Sequence, residues 1–461
     1  MRILYLGSTD LPQTKARAIQ IVHTCHALAR ARVDVTLAVG RRGRGGSARA
    51  LREYGLAPHP RLRLLRLPIL RIPPTAPACV LSQFTRAWQA SYLTGLAVSL
   101  PFELARRRPD VVFARDLRTA RLAAGPAHAI GARLVFEVHG LPSYEVAHGA
   151  GRANLPASEV ARLRALEDAV FARADLLVTI TECARRLLIE EYGVPAGRIR
   201  TVADATTVAE LGGERRHGEA ERGAVVPGSG AMVGVMEGPR SRHDGARGES
   251  TPDDRPAIYY VGQLYPWKGA GLVVDVAARI PEAKVVIVGG QTNWTQFDPD
   301  IAALAEQARV LGVAERVELR GHVPYDRVPA VLADASVALL PLPDEPVARL
   351  FTSPLKLFDY MAAGVPIVAS DLPALREILR DEENALLARP DDPEDFAKAV
   401  RRLLADRALA ERLGRQARAD VLGYSWDARA GALLDFFGEV GAVSTAATDG
   451  VESKARGLVA R

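Results

Sequence analysis

Short runs of aliphatic and β-branched residues recur along the first 180 positions. Each is followed by a stretch in which apolar positions return every three or four residues. The runs are RILYLG (2–7), VDVTLAV (33–39), LRLLRL (62–67), VVFA (111–114), LVFEV (134–138) and LLVTI (176–180). Stretches such as ARAIQIVHTCHALARA and ASEVARLRALEDAVFARA carry the helical period between them. Near-continuous apolar strands alternating with amphipathic helices predict a parallel sheet covered on both faces. The pattern stops near Val208 and resumes with AIYYVG (257–262), KVVIVGG (284–290), RVELRG (316–321), SVALLPL (336–342) and PIVAS (366–370). The intervening residues 209–256 are rich in Gly, Arg, Glu and Ser. They bury too little apolar area to offset their ordering entropy and read as a disordered insertion. After the second series, SWDARAGALLDFFGEV predicts a helix (426–442) that returns to the first domain, and 443–461 reads as a flexible tail. The expected fold is α/β, with two doubly wound Rossmann-like domains, 1–208 and 257–425, facing an interdomain cleft.

A chain of 461 residues exceeds one core, in keeping with two domains. With 48% apolar and 25% charged residues, its composition is that of a soluble globular protein. Cys25, Cys79 and Cys183 lie far apart and match no zinc or disulfide spacing, so they read as plain buried thiols in a reducing compartment. MRILYLG opens as a strand rather than as a basic-then-apolar leader, and a cytoplasmic location is expected. YLTGLAVSLPFEL is too short to span a membrane and holds Pro101 and Glu103; it reads as a core helix. The net charge of +6 is uneven: residues 1–208 hold 30 Lys and Arg against 16 Asp and Glu, and the remainder 30 against 38. Either the first domain faces something anionic, such as the inner face of a membrane, or the excess reflects coding bias, since 54 of the 60 basic residues are Arg. No nucleic-acid partner is expected.

In open α/β sheets, ligands gather where strands end. There, TSPLKLFDYMAAGVP places Ser353 as a helix N-cap and Pro354 at the first helical position. The next free amides, Leu355 and Lys356, would face a phosphate from the positive end of the helix dipole. Asp359, one turn on, would accept two hydroxyl hydrogen bonds, as from a ribose. An ordinary capped helix with a solvated Lys–Asp pair fits the same spacing. VGQLYPWKG ends a strand at Gly262 and carries Lys268 on the following turn, one of only six lysines in the chain. Gly289–Gly290 and RGHV (Gly321, His322, Val323) would bring main chain near a base or sugar, although strand-to-helix turns use Gly anyway. In the first half, His139 and Arg115–Asp116 close strands, and His139 would project into the cleft. The first turn holds one glycine, Gly7, and no GxGxxG; GxxxxGK[ST] is absent throughout, which argues against a dehydrogenase and a P-loop NTPase. His23 and His26 share a helix with no third ligand and read as packing or surface residues.

Together YVGQLYPWKG, TSPLKLFDYMAAGVPIVASDLPALREIL and GYSWDARA resemble the retaining nucleotide-sugar glycosyltransferases of family 4, which have the GT-B fold. STDLPQTKARAIQIVHTCHALA and FEVHG are similar to that family's acceptor domain. The resemblance covers nearly the whole chain outside 209–256 and the tail. It implies a second domain that holds a nucleoside diphosphate sugar of the UDP or GDP type, and a first domain that holds a glycan or lipid-phosphate acceptor. Leu355 and Lys356 would bind the diphosphate and Asp359 the ribose. Lys268 would neutralise the diphosphate, and His139 would contact the transferred sugar, which makes these two the catalytic candidates. Gly262, Gln263, Gly289, Gly321, His322, Val323 and Ser353 complete the donor side; Gly7, Lys15 and Arg115 face the acceptor. No metal is expected. Three departures stand out: Phe351 replaces the first of the family's two Glu, with Asp344 or Glu345 as substitutes; Gln263 replaces an Arg; and the first loop lacks its Gly pair. The expected activity is hexosyl transfer with retention, of the kind used in polysaccharide biosynthesis. A nucleotide-sugar epimerase of the same fold and an inactive binding subunit are the alternatives.

Overall fold

The computed structural model describes residues 1–13, 15–41, 47–69, 78–148, 155–207, 255–290 and 301–439. The expected insertion (but for residues 255–256), the tail and positions 440–442 of the last helix lie outside the described residues. Two all-parallel sheets emerge from the two sequence series. The first holds β1 (Arg2–Leu11), β2 (Asp34–Arg41), β3 (Leu62–Leu67), β4 (Val111–Ala114), β5 (Arg133–Val138), β6 (Leu176–Thr179) and β7 (Ile199–Thr201), in the order β3-β2-β1-β4-β5-β6-β7. The second holds β8 (Ala257–Val261), β9 (Lys284–Val288), β10 (Val317–Leu319), β11 (Val337–Leu340), β12 (Ile367–Ser370) and β13 (Leu386–Ala388), in the order β10-β9-β8-β11-β12-β13. Winding reverses between β1 and β4 and again between β8 and β11, which opens a crevice at the carboxyl end of each sheet. The short edge strands β7 and β13 carry no period of their own and are absent from the sequence reading.

The two-residue period of the strands assigns their side chains. Ile3 and Tyr5 of β1 enter one core layer and Leu4 and Leu6 the other. The first layer is completed by helix Ala16–Arg30 and by the last helix, 426–439, which returns from the second lobe and buries Trp426, Leu433, Phe436 and Phe437 there. His23 stacks on Trp426 at 5.1 Å, and burial lowers its pKa to about 4. The run expected as a core helix belongs to the longer helix Ala78–Arg107, of which only one face is core: Val98 and Phe102 stand in solvent. Cys25 is buried and Cys183 half-buried, both as free thiols; the Cys79 side chain lies outside the described residues.

A buried ion pair ties the returning helix to the first sheet. Arg429 donates to the carbonyls of Val202 (2.7 Å) and Ala203 (2.6 Å), to Thr24 Oγ1 (3.2 Å) and to the Glu137 carboxylate. Glu137 also accepts from Gln20 Nε2 (3.1 Å) and the Tyr5 hydroxyl (3.2 Å). Burial alone would raise its pKa, but Arg429, His139 and Arg115 outweigh burial and hold it well below the usual carboxylate range. Across the lobes, Glu377 accepts from the amides of Glu182 (2.6 Å) and Cys183 (2.7 Å) and so caps the helix Glu182–Glu190. Removing one partner of a buried pair strands the other charge, so Arg429→Ala is expected to lower the unfolding free energy by about 3–5 kcal/mol. Arg30→Ala, at an exposed pair with Asp427, is expected to cost about 1 kcal/mol or less. Denaturant titration of both variants checks the contrast, and equal losses would remove Arg429 from its structural role.

Candidate active site

The carboxyl ends of β8, β9 and β10 and the start of helix Leu355–Ala363 form the second-lobe wall of a cavity of about 580 Å³, a size usual for small-molecule sites. The turn after β8 passes through Gly262 and Gln263 and tightens into a single 3-10 turn, Pro266–Lys268. Gly269 follows with φ 75°, and a Cβ there would lie 1.6 Å from the Pro341 carbonyl. Only glycine lets the turn lie so close, and that closeness delivers Lys268 to the cavity. Gly289 is pinned likewise: a Cβ would lie 1.8 Å from the Gly262 carbonyl. Its amide donates to the Gly321 carbonyl at 2.8 Å.

The helix begins one residue later than its sequence suggests. Pro354 is the N-cap, with extended φ −81° and ψ 124°, and Leu355 is the first helical residue. The Ser353 hydroxyl does not cap: it is buried and accepts the Asp204 amide at 3.0 Å, joining the lobes. The first intrahelical bond runs from the Leu357 amide to the Pro354 carbonyl (2.9 Å), so the amides of Leu355 and Lys356 precede any intrahelical acceptor.

Two ammonium groups converge here. Lys356 Nζ lies 3.9 Å from the Tyr260 ring centroid, and among the described residues it has no hydrogen-bond partner. Burial, then repulsion from Lys268, pushes its pKa well below the usual lysine value. Burial lowers Lys268 as well, opposed by the Asp204 carboxylate. At the far end of the same helix face, Asp359 accepts from Thr206 Oγ1 (2.6 Å) and the Tyr325 hydroxyl (3.1 Å), and burial pushes its pKa up to about 6. The first lobe closes the opposite wall with Pro12, Gln13, Lys15, Ile19, Glu53 and Tyr54. Tyr54 fixes that loop, accepting the Gln13 amide (2.7 Å) and donating to its carbonyl (2.8 Å).

The cavity thus gathers Lys15, Gly262, Gln263, Lys268, Gly289, His322, Val323, Leu355, Lys356 and Asp359. Five expected residues do not line it. Gly7 is inside β1, not on a turn; a Cβ would sit 3.2 Å from Leu37 and Val39, and its carbonyl accepts the Tyr92 hydroxyl (2.9 Å). Arg115 is buried and donates to Gln20 Oε1. His139 leans away from the cavity, with Nε2 3.2 Å from Glu137 Oε2; burial and Arg115 lower its pKa to about 4, so the ring is neutral at pH 7. Gly321 and Ser353 serve the backbone ties described above. Asp344 pairs with Arg349 at 2.7 Å, and neither it nor Glu345 lines the cavity. Phe351, at the position where the resemblance implies a Glu, is buried in the first-lobe core, edge-on to Tyr144 at 6.2 Å. Tyr54, Tyr325 and Thr206 escaped the sequence reading: Thr206 lies 153 positions from Asp359, and no local pattern joins them. Among the described residues no cluster of three or more His, Cys, Asp or Glu could hold a metal ion, and no helix is long and apolar enough to cross a membrane.

Two parallel-sheet lobes joined by a returning helix, with a cationic cleft where the second sheet's strands end, define the GT-B class. Residues 18–205 match the family model described as glycosyl transferase 4-like domain, and residues 255–406 match the one described as glycosyl transferases group 1; the chain belongs to this glycosyltransferase family. It is 30% identical over 280 residues to the D-inositol 3-phosphate glycosyltransferase of Nocardia farcinica, a match covering 59% of this chain and 54% of that protein. The match therefore spans about half the length of that curated relative. Sucrose-phosphate synthase from Thermosynechococcus elongatus shares the fold with a TM-score of 0.70 at 18% identity, covering 96% of this chain and 99% of that one. Anabaena HepE, solved in complex with UDP, does so with 0.61 at 15%, covering 95% and 100%.

The raised Asp359 pKa sets a pH test. A carboxyl that holds its proton more tightly when folded stabilises fully below its unfolded pKa of about 3.9, and that stability drains away as pH rises towards 6. Asp359→Asn escapes the loss. From pH 4 to pH 7 its unfolding free energy should gain on wild type by roughly 1–3 kcal/mol. Urea titrations at the two pH values check this; a constant difference would contradict the buried carboxyl.

Proposed function

We propose that this protein transfers a sugar from a nucleoside diphosphate sugar, of the UDP or GDP type, to a hydroxyl of a glycan or lipid-linked acceptor, with the anomeric configuration retained. The observation that carries the reading is the pair of lysines lining the cavity, Lys268 and Lys356, beside two amides that no helix carbonyl satisfies. Such a pocket favours a compact, multiply charged anion over a neutral ligand. A diphosphate on Leu355 and Lys356 puts the ribose one turn along the helix, at Asp359. Thr206 and Tyr325 both donate to Asp359 Oδ1, so Oδ2 faces the ribose hydroxyls. His322 and Val323, beyond β10, then border the base. The UDP complex of HepE, which shares the fold, supports a nucleotide ligand.

As the bond from sugar to diphosphate stretches, negative charge grows on the leaving oxygen. Lys268, Lys356 and the helix amides are already in place to stabilise it, without reorganisation at the moment of reaction. The acceptor attacks from the first-lobe side, past Gln13 and Lys15, on the face the diphosphate is leaving. The departing phosphate takes the acceptor's proton, so the reaction runs without a pair of flanking carboxylates. A reducing cytoplasm suits the free thiols Cys25 and Cys183.

Lys268→Ala is expected to lower sugar transfer at least about a hundredfold, the scale of losing one preorganised charge contact, with the thermal midpoint unchanged. Turnover with a panel of UDP- and GDP-sugars measures it, and proton NMR of the product reads the anomeric configuration. Near-wild-type turnover would remove Lys268 from the chemistry. Conversion of the donor without acceptor would replace transfer by epimerisation.

A further inference from the structure

The helix Ala78–Arg107 is apolar on two opposite faces. Tyr92, Leu96, Leu100 and Leu104 form one stripe, no more than 2% exposed and packed on the first sheet. At 100° per residue, Ala97, Val98, Pro101, Phe102 and Ala105 form the opposite stripe, and all five are exposed. Val98 is 76% and Phe102 65% exposed, and they sit four residues apart, so they form one patch. Scattered apolar residues need no partner, but a contiguous outward stripe marks a contact surface.

Charge chooses the partner. The only acidic residue of the helix, Glu103, is buried and paired with Arg107, while Arg106 and Arg108 at the end of the stripe are exposed. The domain that carries the helix has 30 basic against 16 acidic residues, so a second copy would press two strongly basic surfaces together. An anionic surface with an apolar layer beneath it satisfies both features at once. We propose that this stripe docks the protein on an anionic lipid bilayer, with Val98 and Phe102 entering the boundary between head groups and acyl chains and Arg106 and Arg108 meeting lipid phosphates. The helix lies on the membrane, since no described helix has the length and hydropathy to cross one. Docking concerns the outer face of the first lobe and is independent of the donor chemistry.

Co-sedimentation of the full chain with phosphatidylcholine vesicles, with and without phosphatidylglycerol, tests this. Wild type should bind the anionic vesicles and be released by rising salt. Val98→Ser with Phe102→Ser, two changes on the solvent side that leave the core untouched, should lower partitioning about tenfold or more, with an unchanged thermal midpoint. Equal binding by the variant, no binding by wild type to either vesicle, or equal binding with and without phosphatidylglycerol would overturn the proposal. A concentration-dependent dimer that this variant disperses would overturn it in favour of a second copy.

Discussion

Two lysines brought together in one partly enclosed cleft are the constraint around which this molecule is arranged. Lys268 and Lys356 sit where burial disfavours their charged forms, and Lys268 adds to the cost for Lys356. A tyrosine ring face under Lys356 offsets part of that cost, and the Asp204 carboxylate, reaching over from the first lobe, offsets part for Lys268. What remains is a standing demand for an anion, which the proposed diphosphate would meet with two charged groups and several acceptor oxygens. The second lobe keeps such a strained arrangement because its turns are fixed by backbone packing rather than by side-chain choice. The Pro341 carbonyl leaves room only for glycine at 269.

The demand would be idle if the lobes were free to part. Asp204, whose amide holds Ser353, and Thr206, whose hydroxyl holds Asp359, lie on the segment that leaves the first lobe. Arg429 grips the carbonyls of Val202 and Ala203 just before them and ties the same point to Glu137 in the first sheet. Thus the group expected to meet the ribose, the strand that ends at Val138 and the helix that returns from the second lobe share one buried polar network. Phe351 adds an apolar peg beside it.

Local information reached far in this chain. The alternation of apolar runs and helical periods located eleven of the thirteen strands, because a buried parallel strand is a nearly continuous run of Val, Ile and Leu. β7 and β13, three residues each, are too short to show a period. Among the residues that line the candidate cavity, those on one turn or helix were legible: Lys268, Leu355, Lys356 and Asp359 follow from strand ends and helix spacing. Those created by tertiary contact were not. Ser353 has every mark of an N-cap, yet its hydroxyl is claimed by an amide 149 positions away. Arg115 and His139 end strands, as cleft residues do, but Gln20 and Glu137 draw them into the interior.

In the proposed function the cleft holds its lysines with lowered proton affinity until a diphosphate arrives. Calorimetric titration with UDP in buffers of different ionisation enthalpy, at a pH above the lowered lysine pKa, measures the protons exchanged on binding. Net proton uptake by wild type, abolished in Lys356→Met, is the expected result. Binding with no proton uptake, or with the same uptake in the variant, would contradict the account.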